Sequence, residues 1–263
     1  MEEKNTQSNE SSVVSAHPTA SDFAPMSTQH QSSLVKDLAV PISIVIAGMF
    51  IGAGLYFSGG SAAPVPAAAV AEAEADNTGK VDPVVEGDHI KGSLEAPIKV
   101  VEFSDFDCPF CSRFHEVMDQ VVAKYDDVAW VYRHMPLEQL HPNAPYVAVA
   151  SECVAELAGN DGFWKFTDAY FAARGAGEQT AHETLVTTLA ANAGVTKAAL
   201  TECLESGRNN SKVQDDVNDA VETGGRGTPW SIIIGPSGKT YPINGALPQA
   251  AVEQLIEAAR SDA

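Results

Sequence analysis

The chain has 263 residues, 44% of them hydrophobic, and a formal net charge of −19. That length holds one ordinary domain plus additional material, and the apolar content is enough for a sizeable core. The charge excludes a nucleic-acid binder, whose phosphate contacts need clustered Lys and Arg, and describes an acidic soluble surface.

Residues 1–37 are polar, rich in Ser, Thr, Gln and Asn in their first 33 positions, and read as a disordered cytoplasmic tail that cannot bury enough surface to offset its ordering entropy. "LAVPISIVIAGMFIGAGLYF", residues 38–57, carries no charge and has the roughly 20 residues a helix needs to cross a bilayer. The alternative is a cleaved secretory signal, with small residues near "PVPAAA" as the processing site. The long upstream tail, the long apolar run and the scarcity of basic residues favour an uncleaved anchor. Lys36 at the upstream edge places the N-terminus in the cytoplasm by the positive-inside rule. Both readings export everything after residue 57, which makes the downstream domain extracytoplasmic or periplasmic. Residues 58–81, rich in Ala, Pro and acids, read as a flexible tether.

From residue 82 onward the pattern is globular. "IKVVEF" (98–103) and "VAWVYRH" (128–134) are strand-type runs. Between them, Phe110, Phe114, Val117, Met118, Val121 and Val122 form one apolar stripe on a helix over 109–124. Strand, helix, strand in that order is a parallel crossover unit. Helical stretches separated by Gly, Asn and Asp breakers follow over about 143–221, with Phe163, Trp164, Phe166, Tyr170 and Phe171 as their core. "WSIIIG", "PSGK" and "TYPI" then form an antiparallel hairpin, and "PQAAVEQLIEAAR" a closing helix. The expected fold is α/β and thioredoxin-like: βαβ and ββα halves share one mixed sheet, a helical insertion separates them, and one transmembrane helix precedes the domain. Architecture alone does not assign chemistry.

The chemistry rests on "SDFDCPFC", residues 104–111. Cys108 falls where the strand has ended and the helix begins, and Pro109 suits the first helical position. A sulfur there faces unpaired N–H groups and the positive end of the helix dipole, which favour the thiolate. Cys111, one turn on, is placed to resolve a mixed disulfide. The expectation is a reachable Cys108 above a sheltered Cys111. Two other uses of the pair are weaker. A Cys108, Cys111, His115 metal site lacks a fourth ligand, so no metal and no cofactor is expected. A static bridge would close too short a loop to stabilise much. His115 is expected on the surface, with His134 and His141 at loop starts. Glu102, six residues before Cys108 on an apolar strand, is costly in a core unless it has a task; buried, it can exchange a proton with Cys111. The plainer reading is an acid at a strand end that reaches solvent. Cys153 and Cys203 lie inside helices of the insertion and are expected to form a structural disulfide. Closing about fifty residues, it would contribute on the order of 4 kcal/mol by chain entropy. Pro229, just before "WSIII", belongs at a strand start or a special turn.

"VVEFSDFDCPFCSRFH", followed far downstream by "GGRGTPWSIIIG", resembles the DsbA-like thiol:disulfide oxidoreductases of the thioredoxin superfamily in their membrane-anchored, exported form. The likeness covers about residues 84–260, "HPNAPYVAVASECVAE" and "GFWKFTDAYFA" included. It implies a nucleophilic Cys108, a resolving Cys111, Glu102 as the buried acid and a cis Thr228–Pro229 peptide beside the Cys108 sulfur. That loop, with Pro109 and Phe110, would receive an extended substrate segment much as a sheet edge accepts a strand. Phe110 stands where the best-known pattern has histidine, which removes a cation that would further stabilise the Cys108 thiolate. Trp230 stands where a small residue or threonine is more usual, which would narrow or reshape the groove. The implied activity is exchange with unfolded or reduced exported proteins, in the direction of disulfide formation, with a membrane quinone-linked thiol oxidase restoring the disulfide. The same site run as a reductase or isomerase, and a non-catalytic thioredoxin-like module that binds a metal or peptide, are the alternatives.

Overall fold

The computed structural model describes residues 77–262. The expected tail, the span at 38–57 and the tether up to residue 76 lie outside them. Among the described residues no helix is long and apolar enough to cross a membrane. Thr78–Lys80 forms a short 3-10 turn, and Thr78 Oγ1 lies 2.7 Å from Thr240 Oγ1.

In chain order the elements are β1 (His89–Lys91), β2 (Ile98–Ser104), α1 (Pro109–Lys124), β3 (Val128–His134), α2 (Ala144–Gly175), α3 (His182–Asn192), α4 (Lys197–Ser206), α5 (Asn210–Glu222), β4 (Trp230–Ile234), β5 (Thr240–Asn244) and α6 (Gln249–Ser261). They build one five-stranded sheet of order β1-β3-β2-β4-β5. β2 and β3 run parallel, as the α1 crossover requires, and the other three pairings are antiparallel. Pro242 sits in β5 at the sheet edge, where its missing N–H costs no ladder bond. The three-residue β1 has no sequence signature: "HIK" is too short and too polar to show alternation, and only its pairing with β3 makes it a strand.

Side chains alternate across the sheet with period two. Ile98 and Val100 of β2, with Trp130 and Tyr132 of β3, enter the larger core with α1, α2 and α6. Val101, Phe103, Val131 and Ile232 point the other way, into a smaller core that includes Ala220 of α5. Glu102 therefore shares its face with Val100 and points under α1.

The insertion consists of four helices. α2 runs across a kink at Gly159, whose φ of 73° and ψ of −175° suit a residue without Cβ, so the two apolar stretches read from the sequence are halves of one bent element. Phe163, Trp164, Phe166, Tyr170 and Phe171 are all buried, and Cys153 of α2 is bonded to Cys203 of α4 with an S–S distance of 2.06 Å.

Glu152 ties this insertion to the sheet. Its Oε1 lies 2.7 Å from His89 Nε2 and 2.8 Å from His134 Nε2, and all three residues are buried. His134 is thus not a loop start; it ends β3 inside the core. Burial pushes the Glu152 carboxyl up, but the hydrogen bonds from His134 and His89 outweigh it and hold the group well below the usual carboxylate range. A depressed carboxyl contributes stability that is present above its unfolded value and lost as pH falls through the folded one. Glu152→Ala is expected to cost about 3–5 kcal/mol near neutral pH, measured by denaturant unfolding. The gap from wild type should shrink in acid, and a gap unchanged by acid would contradict a carboxylate held ionised by its two histidine partners.

Candidate active site

The turn between β2 and α1 is held from two sides. Asp105 Oδ1 accepts from the Asp107 backbone N–H at 2.8 Å, while Oδ2 accepts from the Leu137 N–H at 2.8 Å and pairs with His141 Nδ1 at 2.9 Å. Asp107 reaches the insertion: Tyr170 Oη donates to its Oδ1 at 2.8 Å, and His182 Nε2 lies 2.9 Å from its Oδ2. Neither aspartate was singled out from the sequence. Aspartates at a strand-to-helix turn are the signal, since their short side chains bond nearby backbone.

This turn delivers Cys108 to the N-cap of α1, with extended backbone (φ −79°, ψ 120°) and Pro109 next. Its Sγ lies 3.5 Å from the carbonyl oxygen of Thr228, which precedes Pro229 through a cis peptide bond. The expectation of an open sulfur needs correction. Cys108 is only 5% exposed, enclosed by the Thr228 loop and its own turn, and it opens onto a cavity of about 500 Å³ lined also by Pro109, Arg113, Leu140, His141 and Arg174. Phe110 is 54% exposed, with the Arg113 guanidinium 4.6 Å from its ring centroid.

Trp230 also departs from expectation. As the first residue of β4 it pairs with Phe103 and packs in the smaller core, its Nε1 donating to Thr223 Oγ1 at 3.1 Å. A Cβ on Gly225 would lie 2.8 Å from the indole, so that glycine makes room for it. The ring packs on the face of the sheet opposite α1 and does not line the cavity beside Cys108.

The two cysteines, both free thiols, are unlike in environment. The neighbouring Cys111 thiol, the Thr228 loop and the first-turn N–H groups of Cys111 and Phe110 favour the Cys108 thiolate; against the opposing effect of burial they hold its pKa down to about 6. Cys111 has no exposed surface, and burial pushes its thiol well up. Below it lies Glu102, also without exposed surface, whose pKa burial raises to about 8. Trp130 Nε1 donates to Glu102 Oε2 at 2.9 Å, while Oε1 has no hydrogen-bond partner. The plainer sequence reading, an acid reaching solvent, does not hold.

His115 is the third correction. It is buried, its Nε2 2.8 Å from Asp168 Oδ1, and its ring lies 4.8 Å from that of Trp130. The helix stripe that buries Phe114 and Met118 carries His115 with it, because the insertion covers that flank of α1. Two groups among the described residues bring metal-ligand atoms together. In one, His115, Asp119 and Asp168, the Lys91 ammonium already bridges both aspartates at 2.6 and 2.9 Å. The other is the His89, His134, Glu152 cluster. Neither includes Cys108 or Cys111.

A dithiol at a helix start beside a cis-proline loop, over a buried acid, is the arrangement of a thioredoxin-superfamily domain. The family model described as Thioredoxin matches residues 84–258, and the chain belongs to that family. Among solved structures it is similar to DsbA2 of Pseudomonas aeruginosa (TM-score 0.57, 23% identity, covering 68% of this chain and 98% of that one). It is also similar to oxidised BdbD of Bacillus subtilis (TM-score 0.58, 24% identity, covering 67% and 95%) and to alpha-DsbA1 of Wolbachia pipientis (TM-score 0.59, 19% identity, covering 70% and 96%). The fold is therefore DsbA-like. Two curated relatives are sodium/proton antiporters: NhaA 1 of Mycolicibacterium gilvum, 47% identical over 92 residues, and NhaA of Herminiimonas arsenicoxydans, 32% identical over 182. This chain spans only 14% and 26% of their lengths.

Thiolate absorbance against pH is expected to give a Cys108 midpoint near 6, moving upward in Cys111→Ala, which removes the largest stabilising neighbour. A midpoint indifferent to that substitution would contradict the account. For Glu102, a folded pKa raised to about 8 means stability falls as pH rises from the unfolded carboxyl value through the folded one. Glu102→Gln is expected to stabilise the protein by roughly 2–3 kcal/mol near neutral pH, with little effect in mild acid. Unfolding at both conditions checks this; equal effects would place the carboxyl in solvent.

Proposed function

We propose that this chain is an exported, membrane-tethered thiol:disulfide oxidoreductase that introduces disulfides into unfolded exported proteins. The observation that carries the reading is the unequal pair, a Cys108 favoured as thiolate beside the Thr228–Pro229 loop and a Cys111 favoured as thiol beneath it. In the oxidised form a substrate thiolate attacks Cys108 Sγ, the Cys108–Cys111 bond breaks, and Cys111 leaves with the electron pair. A second substrate thiolate then attacks the substrate sulfur of the mixed disulfide. Cys108 leaves as thiolate, the substrate gains its disulfide, and the enzyme holds two electrons. Stabilising that thiolate stabilises the reduced enzyme, which favours oxidation of the substrate. Glu102 supplies the proton that Cys111 needs. Pro109, Phe110, Thr228 and Pro229 receive the substrate chain, Phe110 by its exposed ring. A membrane quinone-linked thiol oxidase accepts the two electrons, the uncharged run at 38–57 anchors the domain, and the N-terminus is cytoplasmic.

Oxidised full-length protein, isolated from the membrane fraction with detergent, is expected to form disulfides in a reduced, unfolded protein. Cys108→Ser should abolish this, and equilibration with glutathione should give a potential more oxidising than that pool. A protein recovered without detergent would overturn the tether, and a strongly reducing potential would reassign the direction to reduction. Activity surviving Cys108→Ser would overturn the site.

A further inference from the structure

When Cys111 leaves, an electron pair is stranded on a sulfur with no exposed surface, and Glu102 must deliver a proton without solvent access. Glu102 Oε2 is occupied by the Trp130 indole, so the working oxygen is Oε1. Around it the structure gathers buried hydroxyls. Tyr132 lies opposite Glu102 on β3, Ser231 lies opposite it on β4, and Ser104 is two residues along β2 on the same face. The Oγ atoms of Ser104 and Ser231 and the Tyr132 hydroxyl each lack a full hydrogen bond, and the three residues are at most 1% exposed.

A buried hydroxyl without a full hydrogen bond is costly, and three of them beside an unpaired carboxyl oxygen are a poor way to fill space. Ala, Val and Phe would pack the same face without that cost. Ser104 has the most telling place: its hydroxyl is near enough to Glu102, Cys111 and Tyr132 to favour the ionised form of each, so it lies among all three. The other groups acting on this carboxyl are Cys108 and Asp119, both charged when ionised, from the α1 side, and Trp130 from β3.

We propose that the Ser104 hydroxyl is the relay between Glu102 Oε1 and Cys111 Sγ, taking a proton from one as it gives its own to the other. A hydroxyl both donates and accepts, so the transfer leaves Ser104 unchanged. As the mixed disulfide forms at Cys108, Cys111 S⁻ and Glu102 COOH become Cys111 SH and Glu102 COO⁻. When Cys111 attacks in the reverse sense, the same proton returns. No oxidant or reductant beyond the exchanging disulfide is required.

This relay rests on the dithiol exchange proposed above, and one experiment separates the two. Reduced full-length protein is mixed with dithiobis(nitrobenzoate). The first thionitrobenzoate released reports adduct formation at Cys108, and the second reports its displacement by Cys111. Ser104→Ala is expected to leave the first step within about twofold and to slow the second about tenfold or more, with Ser104→Thr restoring the rate by keeping the hydroxyl. Adding Glu102→Gln to Ser104→Ala should slow the second step little further, since both belong to one route. The wild-type second step should carry a solvent deuterium isotope effect. A wild-type protein that never releases the second equivalent would overturn the exchange function itself. With that release intact, an unaffected Ser104→Ala, a threonine variant as slow as the alanine one, or a missing isotope effect would overturn the relay.

Discussion

A helix that begins directly after a strand leaves its first backbone N–H groups without carbonyl partners, and in this chain the group set against them is a sulfur. The chemistry inferred for the site descends from that junction. The partial positive charge of the first turn stabilises an anion at Cys108 and does much less for Cys111 one turn further in. The turn bond that Asp105 accepts from Asp107, its long-range bond from the Leu137 N–H, and the anchoring of Asp107 to Tyr170 and His182 fix the angle at which the chain enters α1. Without that clamp the sulfur would have no defined distance to the Thr228 carbonyl.

The vertical order of the site follows from period two in β2. Glu102 shares its face with Ile98 and Val100 and must enter the core under α1, while Phe103 and Val101 go to the other side. Their surroundings then reorder three groups: the two thiols, alike in water, split apart, and the carboxyl, which titrates far below both in water, rises above the outer thiol. Cys108 moves down to about 6, Cys111 moves up, and Glu102 rises to about 8. The nucleophile is ionised when the acid below it still holds its proton. Such splitting of environments is how one small fold supplies both a thiolate and a proton donor near neutral pH.

Much of this was legible in the residues. The strands at 98–103 and 128–134, the helix at 109–124, the hairpin and the closing helix all announce themselves by period and punctuation. Cys108 announces itself by Pro109. What stayed hidden depends on contacts between distant segments. β1 exists only through its pairing with β3, and His115 and His134 are buried only because α2 covers them with Asp168 and Glu152. The side of the sheet taken by Trp230 is set by register with Phe103, which no local pattern reveals. The near-closure of Cys108 comes from a loop 120 residues away in the chain.

The four cysteines divide into two pairs by access rather than by count. Cys153 and Cys203 have no exposed surface, and their bridge joins α2 to α4 inside the insertion, flanked by Asn209 and the Arg208–Glu156 ion pair. Disulfide exchange needs a sulfur that an incoming thiolate can reach along the bond axis, and that bridge offers none. Cys108, although only slightly exposed, opens onto a cavity at a helix terminus. Segregation of this kind lets a protein that trades disulfides keep one of its own. The bridged insertion is also what supplies Tyr170 and His182 to Asp107. The inert pair thereby stiffens the body that positions the reactive one.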